Sequence, residues 1–135
     1  MGAWGPDTFE NDAACDWIAD LVEVHDLSVV EAAIAVARET GDDYLDVDDG
    51  CEALASCEVV ARLQGAGGKR DAYSEELDAW VKAHPIPLPP ELVANALEAI
   101  ERVTGKDSEL AELWDGDPEW QKAVADLRAR VASSH

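Results

Sequence analysis

Ala53-Leu-Ala-Ser-Cys-Glu-Val-Val-Ala-Arg-Leu63 decides the fold. Eight of its eleven residues are apolar, and none is Gly or Pro. Wound as a helix, Cys51, Leu54, Ala55 and Glu58 share one face, while Ala53, Val60 and Leu63 line others. A helix apolar nearly all round must be buried, so this one is expected at the centre of a helical bundle. Gly65 supplies its C-terminal stop. Glu58 then sits where a carboxylate has to be hydrogen-bonded, paired or protonated. Its plainer role is structural, tying down the N-terminal segment or pairing with Arg62 one turn on. Its alternative role is that of a functional carboxylate.

Working outward, the punctuation reads as helix after helix. Asn11 or Asp12 caps a first helix to about Val24, with an apolar stripe of Ala14, Trp17, Ile18 and Leu21. Asp12, Asp16, Asp20 and Glu23 form a second, acidic stripe on it. Ser28 and Glu31 have the spacing of a capping box for a helix that buries Val30, Ala33, Ile34 and Ala37 and stops at Gly41. Asp42 to Asp49 reads as an acidic turn before the central helix. Gly65-Ala-Gly-Gly-Lys-Arg70 is expected to be flexible. Ser74 caps a short helix carrying Leu77, Trp80 and Val81.

Pro85-Ile-Pro-Leu-Pro-Pro90 is an extended connector, and Pro90 opens the next helix. The face of that helix is Val93, Ala96, Leu97, Ile100 and Val103. Asp107 or Ser108 caps a short helix with Leu110, Leu113 and Trp114. Asp117-Pro118-Glu119 starts the last one, whose stripe is Trp120, Ala123, Val124, Leu127 and Val131. Arg128 and Arg130 fall near its C-terminus, where the macrodipole favours them. No useful β alternation and no internal repeat occurs. The expectation is an all-α, compact single-domain bundle of about six to seven short helices over residues 1–135, with an N-terminal segment wrapping it.

Charge narrows function. Thirty acids against ten bases give −20 over 135 residues. Residues 1–60 hold sixteen acids and a single base, Arg38. Such a surface repels phosphate backbones, which argues against direct nucleic-acid binding. It attracts a basic protein, or simply keeps the chain soluble. No apolar run is long enough for a membrane span, and the N-terminus lacks a signal-peptide pattern, so a cytoplasmic protein is expected. Cys15, Cys51 and Cys57 are odd in number and lie in apolar stretches, which reads as buried free thiols.

Chemical motifs are scarce. Aligning Gly50 with the glycine of an EF-hand loop places Leu45, Val47 and Ser56 where acids belong. Asp42, Asp43, Asp46, Asp48 and Asp49 remain as weak candidates for a divalent cation. No zinc spacing, nucleophile motif, phosphate loop or dinucleotide fingerprint occurs, so no cofactor is expected. Trp4 and Phe9, with Gly2, Gly5 and Pro6 around them, form either a ligand wall or a plug that buries two rings.

Met1-Gly-Ala-Trp-Gly-Pro-Asp-Thr-Phe-Glu-Asn-Asp-Ala-Ala-Cys-Asp-Trp17, Ala53-Leu-Ala-Ser-Cys-Glu-Val-Val-Ala61 and Ser108-Glu-Leu-Ala-Glu-Leu-Trp114 resemble the bacterial domain-of-unknown-function family 4259. That family typically carries a glycine where Pro6 or Asp7 stands here. The resemblance implies a small helical bacterial protein and no particular activity. It singles out Trp4, Phe9, Glu10, Asn11, Asp12, Asp16, Trp17, Glu58 and Trp114 as residues to test. The function expected from all this is a non-catalytic acidic interaction protein that binds a basic partner, as an immunity or antitoxin-like inhibitor or a nucleic-acid mimic does. One alternative is a small-molecule binder or enzyme built on Glu58 with N-terminal Asp and Trp residues around it. The other is a cation site in the turn 42–49.

Overall fold

The computed structural model describes residues 12–24, 26–40, 43–65, 75–84 and 86–132. Trp4, Phe9, Glu10 and Asn11, the expected wrapping segment, Gly41, Asp42, Ser74 and the stretch 66–70 lie outside these residues. Among the described residues there are seven helices and no strand: α1 (Asp12–Leu21), α2 (Ser28–Glu39), α3 (Val47–Leu63), α4 (Glu75–Ala83), α5 (Pro90–Thr104), α6 (Glu109–Leu113) and α7 (Pro118–Ala132). Helix α3 is the hub, and each of the other six packs against it. From Ala53 to Arg62 it is buried without interruption. The buried side chains form one continuous cluster.

Local chemistry explains each boundary. Helix α1 ends at Leu21, three residues before the expected Val24, in a turn where the Val24 amide donates to the Leu21 carbonyl. Its stripe of Ala14, Trp17, Ile18 and Leu21 is buried, and Asp16, Asp20 and Glu23 face solvent. The capping box expected of Ser28 and Glu31 does not form. Ser28 is already the first helical residue, and Leu27 holds the cap position without a side-chain bond. Asp26 replaces it, because its short carboxylate reaches two residues forward. It accepts from the Ser28 amide at 3.0 Å and the Ser28 hydroxyl at 2.6 Å. The buried set of α2, Val30, Ala33, Ile34 and Ala37, is the expected one.

Within residues 43–49 the acidic stretch is only partly a turn. Helix α3 begins at Val47, capped by the Asp46 carboxylate, which accepts from the Asp48 amide. Asp48 and Asp49 therefore lie in a first helical turn, where the macrodipole favours acids. Just before it, Leu45 forms an isolated parallel bridge with Ser108. Arg102 braces this junction, donating to the carbonyls of Asp43 at 2.5 Å, Lys106 at 2.8 Å and Asp107 at 3.2 Å. Asp107 takes a left-handed backbone, with φ of 56°, to make the turn.

The connector residues 86–89 are in no regular element, and Pro90 opens α5 as its first residue. Its buried stripe is Leu92, Ala96, Ala99, Ile100 and Val103. Val93 and Leu97, expected at its centre, flank it half-buried. The helix packs against α2, α3 and α7 together, which rotates the stripe and admits the small Ala99. Ser108 caps α6, accepting from the Ala111 amide at 3.3 Å. That helix has only five residues; Leu110 is its one buried residue, and Leu113 is 42% exposed. Trp120, Val124, Leu127 and Val131 of α7 are buried as expected, while Ala123 is half-buried.

Cys51 and Cys57 are buried free thiols and Cys15 is half-buried. Burial, with nearby acids, pushes the Cys51 thiol up to about 12 and raises Cys57 as well. Both stay protonated and pack as small hydrophobes. No helix among the described residues is long and apolar enough to cross a membrane.

Candidate functional site

Glu58 is 5% exposed, and its partner comes from 72 residues away. Arg130 of α7 donates through Nη1 to Oε1 at 2.8 Å and through Nη2 to Oε2 at 2.7 Å. Both carboxylate oxygens are thus engaged by one planar guanidinium, the strongest geometry such a pair has. The Arg130 Nε donates to Asp126 at 2.8 Å. Burial works against the charge on Arg130, but the bonds to Glu58 and Asp126 outweigh it and hold the guanidinium above arginine's ordinary value.

Arg62, the partner expected from sequence, stands second, with Nε 3.5 Å from Glu58. Its Nη1 pairs closely with Asp78 of α4. The Glu58 group therefore clasps α3 to α7 directly and, through Arg62, lies next to the link to α4. It is a structural clasp in its geometry. Three cavities, of about 710, 490 and 280 Å³, open on the bundle, and none of the three has Glu58 in its wall.

The other sequence candidates are spread over the bundle. Asp12 opens α1 and Asp16 faces solvent from it, whereas Trp17 is 5% exposed in the core. Trp114 is half-buried just after α6 and lines the largest of those three cavities. Glu58, Trp17 and Trp114 do not share a cavity wall among those three. Arg130 is the participant that sequence reasoning missed. In the sequence its position near the end of α7 has only the macrodipole to explain it, and nothing in local spacing links it to Glu58.

A second arrangement is electrostatic. The beginning of α3 brings Asp46, Asp48, Asp49 and Glu52 together, and Asp20 of α1 acts on the same place. The Glu52 carboxyl is raised by burial and then by Asp49, Asp48, Asp20 and Asp46. Asp49 is raised by burial and then by Asp46 and Asp48. These acids repel one another in the free protein. Arg38, the only base before residue 61, is engaged elsewhere, 3.4 Å from Glu98 on α5. Among the described residues, no group of three His, Cys, Asp or Glu is arranged to hold a metal ion.

Fold and site together define an acidic, all-helical bundle pinned through its central helix by a buried Glu–Arg clasp. Over residues 2–125 the chain matches the family described as "Domain of unknown function (DUF4259)", and it belongs to that family. Comparison with curated proteins and with solved structures finds no match.

Proposed function

We propose that this chain is a non-catalytic interaction protein of a bacterial cytoplasm, whose acidic face at α1 and the start of α3 binds a basic protein, as an immunity or antitoxin-like inhibitor or a nucleic-acid mimic does. One observation carries the reading. Asp20, Asp46, Asp48 and Asp49 add their repulsion to burial, the larger cause, in raising the Glu52 carboxyl, and Asp46 and Asp48 do the same at Asp49. A basic partner relieves that repulsion and is steered to it by the surrounding field. The rival reading, a ligand site on Glu58, has less support, because both of its oxygens are taken by Arg130.

The test must separate a specific face from mere negative charge. Capture from a native lysate at low salt is compared for three baits: wild type, Asp48→Asn/Asp49→Asn/Glu52→Gln, and the charge-matched Glu76→Gln/Glu101→Gln/Glu119→Gln. The expected result is a discrete basic protein retained by wild type and by the matched control, and lost from the first variant. Equal retention by all three, or none above background, removes the reading.

A stability measurement checks the electrostatics independently. A carboxyl raised in the fold binds its proton more tightly there than in the unfolded chain, so stability rises as pH falls toward its raised value. The urea midpoint of wild type is expected to gain on Asp49→Asn/Glu52→Gln when pH drops from ~7 to ~5, because only wild type has part-buried, mutually repelled carboxylates to protonate. A constant difference between the two proteins across that range contradicts the convergence.

A further inference from the structure

A cavity of about 710 Å³ opens between α5, α6 and α7. Its size suits a small organic group or a single long side chain. Ile100, Ala111 and Val124 contribute apolar wall, and two tryptophans, the half-buried Trp114 and the buried Trp120, line it as well. Asp107, Glu112 and Asp115 contribute carboxylates. Thr104 and Gly105, at the C-terminal end of α5, also line it, and that end carries the negative pole of the helix. Indole faces attract cations most strongly of all the aromatics. We propose that this cavity is a receptor for an organic cation, a guanidinium or alkylammonium on an apolar stem.

Three bases oppose the assignment, and one of them is Arg102, whose guanidinium donates to the Lys106 and Asp107 carbonyls just past the end of α5. The other two, Lys106 and Arg128, line the cavity, and both are exposed. Long basic side chains lay their stems along apolar surface and keep their charged ends in water. Three carboxylates match them in number, and the helix C-terminus adds its negative field, in a chain of net charge −20. The local field reports the same sign. Tyr44 donates to Glu112 at 2.7 Å, and its phenol is pushed up to about 12 by that bond, by its slight burial and by the charges of Glu112, Glu109 and Asp107.

The Tyr44 bond also places the cavity beside the acidic segment before α3. A basic partner lying on that segment has an arginine or lysine within reach of the cavity. To that extent the source of the cation rests on the function proposed above. A free small cation offers the same chemistry.

The probe is N-acetylarginine methylamide, titrated into the full-length ¹⁵N-labelled protein while the indole N–H resonances are followed. The citrulline analogue, isosteric and uncharged, and inorganic phosphate serve as comparators. The arginine compound is expected to shift the resonances of Trp114 and Trp120, and the comparators to leave them in place. Trp114→Leu is expected to weaken the titration roughly tenfold, the loss of one partly desolvated cation–π contact. Glu112→Gln, on an exposed side chain that still accepts from Tyr44, is expected to weaken it severalfold and covers the case in which Trp114→Leu unfolds. Equal shifts from the citrulline analogue, shifts from phosphate alone, or titrations insensitive to both variants would falsify the assignment. An arginine-rich nonapeptide separates the sources. If it binds more tightly than the single arginine, and loses that advantage in Asp48→Asn/Asp49→Asn/Glu52→Gln, the cation belongs to a protein partner. If it has no advantage, the cavity stands as a site for a free cation and the acidic-face reading fails.

Discussion

Glu58→Gln is expected to lower the free energy of unfolding by about 3 kcal/mol, at the low end of what removing one partner from a buried ion pair does. The amide keeps the size of the side chain, so packing of α3 is undisturbed. What changes is that Arg130, with 16% of its side chain exposed, loses a bidentate carboxylate. The low end applies because Asp126 still holds Arg130 and Asp78 still holds Arg62. For a domain whose whole stability is about 5–15 kcal/mol, the loss shows plainly in a urea midpoint at an unchanged slope. Glu58→Met combined with Arg130→Met is expected to recover most of it, since two apolar side chains need no charge compensation. A single variant within about 0.5 kcal/mol of wild type means the clasp is not formed in solution.

Salt sharpens this result. Arg38 and Glu98 have side chains 32% and 57% exposed, so their attraction is screened and contributes little. The Glu58–Arg130 pair is shielded from counterions, and the defect of Glu58→Gln should persist at high salt. The clasp and the acidic face are therefore separable by ionic strength: one holds the bundle together at any salt, the other depends on salt for whatever it binds.

The periodic features of the fold were legible, and the pairings between distant elements were not. Helix α2 shows its burial in the spacing of Val30, Ala33, Ile34 and Ala37, because one side of a helix repeats every three to four residues. Helix α3 announced its central place by lacking a polar face. Where several neighbours compete for one helix, the pattern blurs: α5 buries Leu92 and Ala99 ahead of Val93 and Leu97, since it packs on α2, α3 and α7 at once. Caps are legible only when a single residue can reach. At α2 both Asp26 and Ser28 had the chemistry, and the carboxylate two residues upstream took the bonds. The burial of Glu58 followed from its helix, but its partner did not. Arg62 is close by helical spacing, while Arg130 is brought in by the packing of α7 on α3.

The larger effect is expected at Trp80. Helix α4 has nine residues, too few to be stable alone in water, so its order depends on what it buries. It buries Leu77 completely and Trp80 to 4% exposure, and it reaches α3 through Asp78 and Arg62. The Trp80 indole does two things there. Its ring lies in the core, stacked on His84 at 4.8 Å between centroids, and its N–H donates to the Val24 carbonyl at 2.8 Å. Val24 lies just past the end of α1, so this bond ties α4 to the exit of the first helix. Trp80→Ala removes both and is expected to lower stability by about 3–5 kcal/mol. Trp80→Phe keeps most of the apolar volume and leaves the Val24 carbonyl without its indole donor, which is worth about 1–2 kcal/mol. The ratio of the two losses discriminates between causes. A large loss for alanine with a small one for phenylalanine assigns α4's attachment to packing. Two losses of similar size assign it to the hydrogen bond, and hydrogen exchange at the α4 amides should then rise in both variants. If Trp80→Ala changes the unfolding free energy by less than about 1 kcal/mol while the α4 amides exchange freely, α4 opens independently of the rest. In that event the link from Asp78 to Arg62 is lost in the open state, while Arg130 still clasps α3 to α7 through Glu58.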